Sequence, residues 1–305
     1  MTCSLSGPAR RDWRAPCFLL SAGYGARVID KAEAASTTSR AQVVNPRALE
    51  MLEASGVTTT VLAEARPISS ARFYKGWRRL AELDFAEIPS RFAMSVLPQA
   101  RTEALLAAGL KAHGIEVERK VALESFTEEQ NGMQAVLTHR DGHRETTFAS
   151  YLFAADGAHS VVRDVLHINF SGHAFPEEWP LFDVELNDPL PIDHAHVEFV
   201  ESGLVFLLCI RPGLWRGFGD VPKPLEHLPS GSRLGEVKWE STFHISDRLA
   251  DRLVRGRVAL AGDGEAARAL ALGGVGLARL ALFHIRSDIE AGRLIPVLQD
   301  FNPGD

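Results

Sequence analysis

Residues 151–163 read YLFAADGAHSVVR, from Tyr151 to Arg163. Tyr151-Leu152-Phe153-Ala154-Ala155 is a short apolar run with the length and composition of a buried parallel strand. The run breaks at Asp156-Gly157, and Ser160 stands just before a helix-like segment containing Val161, Val162 and Arg163. In an open α/β sheet, ligands bind in the crevice at the carboxyl ends of the strands, so an acid and a glycine at that point are placed for chemistry. The same residues also describe an ordinary Asp-Gly turn followed by a serine-capped helix. Both readings stay open until the rest of the chain is considered.

Just upstream, Met133 to Phe148 reads as a hairpin turned at Asp141-Gly142, leading directly into this strand. Further out, Ala26-Arg27-Val28-Ile29-Asp30-Lys31 reads as a strand ending in an acid. An acid at the end of such a strand accepts hydrogen bonds from a dinucleotide's ribose, or simply faces water. The glycine fingerprint expected about twenty residues earlier is missing. In its place stands SLSGPARRDWRAP, with Leu5 and Arg10 where glycines would allow a tight turn and close helix packing. Asn45-Pro46 starts a helix, as cap and first-turn residue, and Gly56 ends it. Leu49 and Leu52 share its buried face. Gln99 precedes a second helix, near the positive end of its dipole, with Leu105, Leu106 and Leu110 as core and Gly114 as its close.

Between these helices, Pro67 to Phe92 alternates aromatic and charged positions and reads as a hairpin-like excursion into a second sheet. From Pro180 to Trp239 the pattern is mostly strands, separated by Glu-Ser-Gly and Arg-Pro-Gly turns. The 305 residues, 46% hydrophobic and 24% charged, suit a soluble globular protein of one large or two intermeshed domains. A net charge of -6 argues against a nucleic-acid surface. Cys3, Cys17 and Cys209 are too scattered for a disulfide framework or a metal cluster. No apolar run is long enough to span a bilayer and no signal-peptide core is visible, so the expected location is the cytoplasm, without membrane contact. His194, His196 and His244 read as polar surface or satisfied core, and neither metal spacing nor a nucleophile elbow appears.

From about Arg27 to about Asp263 these stretches together resemble the FAD-dependent aromatic-ring hydroxylases, the flavoprotein monooxygenases typified by para-hydroxybenzoate hydroxylase. The resemblance implies an α/β fold, a Rossmann-like FAD-binding domain with an interleaved, mostly antiparallel β-sheet substrate domain. It implies boundaries of 1–167 for the first part of the FAD domain, 168–247 for the substrate domain and 248–305 for a final FAD-domain part, truncated or replaced after about residue 268. It implies FAD contacts at Asp30, Arg40, Gln99, Asp156 and Gly157, at Gly262-Asp263 on the ribityl chain, and more weakly at Arg101 and Gly7. The implied reaction hydroxylates a phenolic or aromatic small molecule with O2, using NAD(P)H as electron donor. No residue takes a catalytic assignment, because the cofactor carries the hard chemistry.

The chain departs from the family at both ends. Residues 1 to about 16 are expected to be a frameshifted or replaced first strand and helix. After Asp263 the family's histidine and proline are gone, and Gly273-Gly274-Val275-Gly276 only sketches its loop. The tail GVGLARLALFHIRSDIEAGRLIPVLQDF is similar instead to the effector-domain end of LysR-type transcriptional regulators. The competing expectation is therefore a degenerate, inactive flavoprotein or a small-molecule-binding remnant without redox activity.

Overall fold

The computed structural model describes residues 2–5, 25–35, 42–157, 159–252 and 254–260. Gly7, Arg40, Gly262, Asp263 and the tail similar to LysR-type regulators lie outside the described residues, as does most of the altered N-terminal stretch.

The stretch quoted first is an interior strand. A six-stranded sheet runs in the order β18 (Val254–Arg255), β19 (Val258–Leu260), β12 (Leu152–Ala155), β1 (Thr2–Leu5), β2 (Arg27–Asp30) and β8 (Val117–Arg119). Every neighbouring pair is parallel except the β18–β19 hairpin. Tyr151 stays outside the strand, 49% exposed, with the Arg257 guanidinium 5.5 Å from its ring centre. The strand position expected to have been replaced at the N-terminus is filled by Thr2–Leu5, which pairs on both sides. In that register Leu5 lies beside both Asp30 and Ala155, so the carboxyl ends of β2 and β12 are level. Two strand spacings separate them, roughly 10 Å.

Each face of this sheet is covered. On one side pack α1 (Pro46–Leu52), α2 (Val57–Glu64) and α3 (Gln99–Ala112), whose Leu49, Leu52, Val61, Leu105, Leu106 and Leu110 meet Val28 and Ala155. Asn45 caps α1 by accepting from the Ala48 N–H at 2.7 Å, and Gly56, at φ 76°, supplies the left-handed residue beyond its last turn. The other side carries α4 (Val161–Val165) and an antiparallel sheet of β9 (Ala122–Glu129), β10 (Gly132–Thr138) and β11 (Arg144–Ala149). The β10–β11 connection is the hairpin expected at Asp141-Gly142.

The second sheet has seven strands in the order β17 (Leu234–Ala250), β13 (Phe170–Leu186), β16 (Leu214–Gly219), β15 (Gly203–Arg211), β14 (His194–Val200), β5 (Ser70–Lys75) and β6 (Arg78–Asp84). All its pairings are antiparallel except β14–β5, and β5–β6 is the expected excursion out of the first domain. A small sheet of β3 (Val43–Val44), β7 (Ser95–Val96) and β4 (Arg66–Pro67) sits between the two large ones. One face of the seven-stranded sheet closes on its own loops through Phe182, Val184, Leu207, Cys209 and Trp215. The opposite face carries Ala71, Phe73, Ala195 and Leu208, which pack against Ile68, Met94 and Val96 toward the first domain.

Candidate cofactor and ring-binding site

The opening stretch forms the capped turn that its residues describe. Asp156 is 4% exposed and accepts from the Val162 N–H at 3.2 Å, while Ser160 Oγ accepts from the Arg163 N–H at 3.0 Å. Two side chains thus satisfy donors in the first turn of α4. Gly157 has φ 79°, a backbone state that excludes most side chains and leaves the main chain bare at the sheet's carboxyl edge. The capped turn lies where an α/β sheet binds its ligand.

Asp30, at the same edge, is 2% exposed. Its Oδ1 accepts from the Ala32 N–H at 2.9 Å and its Oδ2 from Arg119 Nη1 at 2.7 Å. Arg119 extends its other nitrogen, Nη2, to Glu103 of α3 at 3.0 Å. Gln99 is the first residue of α3, so the amino end of a fourteen-residue helix belongs to the element that Glu103 ties to the strand edge. Arg101 turns the other way and forms a two-nitrogen pair with Glu64 on the surface. Asp30, Asp156 and Gly157 are therefore brought to one edge, and Gln99 is linked to it through its helix. Sequence reasoning missed Arg119 and Glu103. Nothing local marks them, because their meeting depends on the β2–β8 pairing that sets Asp30 opposite Arg119.

A flavin dinucleotide presents ribose hydroxyls, a diphosphate and a flat ring system. The described residues fit that shape: buried carboxylate acceptors suit hydroxyls, a helix amino end suits phosphate charge, and the bare backbone at Gly157 permits close approach.

The face of the seven-stranded sheet turned toward the first domain supplies an aromatic surface. Phe206 and Phe218 stack at 4.6 Å between ring centres, and Trp179 and Phe243 each lie near 6 Å from Phe218, at 6.1 Å in both cases. All four side chains are only partly buried. Beside them lies Arg216, 3% exposed, paired through two nitrogens with Asp183 at 2.7 Å and set 5.1 Å from the Trp239 ring centre. Gln42, from the first domain, sets its side-chain amide against the Arg216 guanidinium; rotating the amide so that its oxygen faces those donors satisfies both groups, with contacts of 3.0 and 3.1 Å. A polar contact thus joins the two domains at the edge of the aromatic surface.

The histidines lie elsewhere. His196 is fully buried on the opposite face, with Nδ1 3.0 Å from the Tyr74 hydroxyl and Nε2 2.8 Å from the Pro191 carbonyl oxygen. Burial pushes its pKa down to about 4. His194 contacts Ser70 Oγ at 2.8 Å, and His244 is half exposed near Glu178. Cys209 is buried in the core, which raises its thiol pKa to about 11 and leaves it a poor nucleophile.

Comparison with known proteins bears on this arrangement directly. The chain is 32% identical over 257 residues to 6-methylpretetramide 4-monooxygenase of Streptomyces rimosus, covering 78% of this chain and 46% of that protein. It is 26% identical over 266 residues to pentachlorophenol 4-monooxygenase of Sphingobium chlorophenolicum, covering 80% and 49%. The chain spans about half the length of these curated relatives. The crystal structure of p-nitrophenol 4-monooxygenase PnpA from Pseudomonas putida DLL-E4 superposes with a TM-score of 0.75 at 20% identity, over 86% of this chain and 71% of that one. The two-sheet arrangement is thus a known fold, an α/β FAD-binding architecture with an antiparallel companion sheet. The family model described as FAD binding domain matches residues 15–206, and the chain belongs to that family.

Proposed function

We propose that this chain forms the cofactor-binding and ring-covering part of a flavin-dependent monooxygenase that hydroxylates a phenolic or other aromatic small molecule, with NAD(P)H as electron donor and O2 as co-substrate. The observation that carries the reading is the pairing of two features: a strand edge built of buried acids, and an aromatic sheet face joined to the same domain through Gln42. In this reading Asp30 receives the adenosine ribose, the amino end of α3 at Gln99 faces the diphosphate, and Asp156-Gly157 lets the main chain approach it. Arg40, Gly7, Gly262 and Asp263 complete the set, with Arg101 at its margin. Bound there, FAD supplies electron transfer from NAD(P)H and oxygen transfer to the ring. Phe206, Phe218, Trp179 and Phe243 exclude water and orient the ring by offset stacking. Arg216, bound to Asp183 and Gln42, holds the aromatic face against the first domain.

We read the chain as 1–167, 168–247 and 248–305, with a change of ancestry near Arg268 toward the effector end of a LysR-type regulator, and as a cytoplasmic protein. Sequencing the gene across that junction and in the neighbouring frames of codons 1–16 tests the two end assignments.

The test of function begins with colour. Purified protein incubated with FAD and desalted is expected to retain visible flavin absorbance, and simple phenols are expected to stimulate its NAD(P)H oxidation. Protein that stays colourless in excess FAD overturns the reading. Flavin retention without phenol-stimulated oxidation favours the inactive flavoprotein instead.

A further inference from the structure

We infer that Arg119 is a positioning residue for the adenosine end of the cofactor: it fixes the rotamer of Asp30, so that the carboxylate meets the 2′-hydroxyl of the adenosine ribose. This rests on the reading of Asp30 given above. The β2–β8 register sets Arg119 directly beside Asp30, and the guanidinium reaches across to Asp30 Oδ2 at 2.7 Å while its second nitrogen meets Glu103 Oε1 at 3.0 Å. Both acid side chains are 2% exposed, and Arg119 is 22% exposed.

Three consequences follow from that geometry. Asp30 has one oxygen held by the Ala32 N–H and the other by Arg119, so its carboxylate plane is fixed from two directions. Each oxygen retains a second lone pair, which is what a ribose hydroxyl needs from an acid at a strand end. Glu103 sits in the second turn of α3, so the same arginine also sets the distance between that helix and the strand edge.

The experiment compares two ligands and two variants, with affinity read from the quenching of flavin fluorescence on titration into apoprotein. The ligands are FAD and its 2′-deoxyadenosine analogue; the variants are Arg119→Met and Arg119→Lys. The wild type is expected to prefer FAD over the analogue by about tenfold or more, the value of a hydrogen bond to a charged acceptor. Arg119→Met is expected to weaken FAD by a similar factor and to leave the analogue's affinity nearly unchanged, so that the preference collapses. Arg119→Lys, which keeps the charge without the fork, is expected to retain part of the preference. An equal loss for both ligands in Arg119→Met makes the arginine merely structural and overturns the inference. If Arg119→Met does not fold, an undiminished preference in Arg119→Lys overturns it equally. A wild type that binds both ligands with equal affinity removes Asp30 from the ribose and the inference with it. A wild type that binds neither overturns the functional reading itself.

Discussion

Arg216 and Asp183 come from adjacent antiparallel strands and share a two-nitrogen bond at a position that water scarcely reaches. Removing one member strands the other. Arg216→Met is expected to cost about 3–5 kcal/mol in denaturant unfolding, and adding Asp183→Asn is expected to recover a large part of that loss. His196 makes a prediction about acid. Burial holds its folded pKa at about 4 against 6.5 for the free ring, so the unfolded chain takes up the proton first as pH falls. Stability is therefore full above about pH 6.5 and declines toward pH 4, by about 3 kcal/mol if this group acts alone. In His196→Gln, unfolding measured across that window is expected to lose most of its pH slope. Glu145 belongs to a lower window: its hydrogen bonds from Arg27 and His139 pull it down to about 2, so its contribution is full above about pH 4.5 and fades as pH falls from there toward 2. At this scale Asp30 and Asp156 were legible, because an acid closing an apolar run advertises a strand end. Arg216 and Asp183 were not, since 33 residues separate them and neither local pattern points to the other.

Helix ends were the most readable elements. Asn45, Gly56, Gly114 and Ser160 each act through their own backbone neighbourhood, so residue type and spacing suffice to find them. Packing between helices is a different matter, and Gly109 of α3 shows why. Alanine there would normally favour the helix by about 1 kcal/mol. A Cβ on Gly109, however, would lie 2.4 Å from Val57 Cγ2, on a buried β-branched side chain at the start of α2 that has little freedom to turn aside. Overpacking outweighs propensity here. Gly109→Ala is expected to destabilise the protein by about 1–2 kcal/mol in urea, and the same substitution in a Val57→Ala background is expected to be neutral or stabilising. The sign of that change depends on α2 crossing α3 at this residue, which no pattern within either helix encodes.

For the molecule as a whole, polar contacts stitch the small sheet and the first domain onto the seven-stranded sheet. Arg66 of β4 donates to the carbonyls of Ile192 and Cys209, and the Gln42 amide lies against the Arg216 guanidinium. Arg66→Met leaves two carbonyls without that donor and is expected to cost about 1–3 kcal/mol, with faster proteolysis of the native protein between the two sheets. The two-layer plan and the excursion at residues 70–84 were visible in the sequence, because strand periodicity survives without knowledge of partners. Strand order was not, because pairing is decided by contacts remote in the chain. That remoteness also governs how the protein is made. β1 leaves the ribosome roughly 150 residues ahead of β12, one of the two strands it must lie between. At translation speeds of roughly 5–20 residues per second, it waits roughly eight to thirty seconds with one flank open. The centre of the finished sheet is thus a late event in biogenesis, and the nascent chain depends on shelter until its second neighbour emerges.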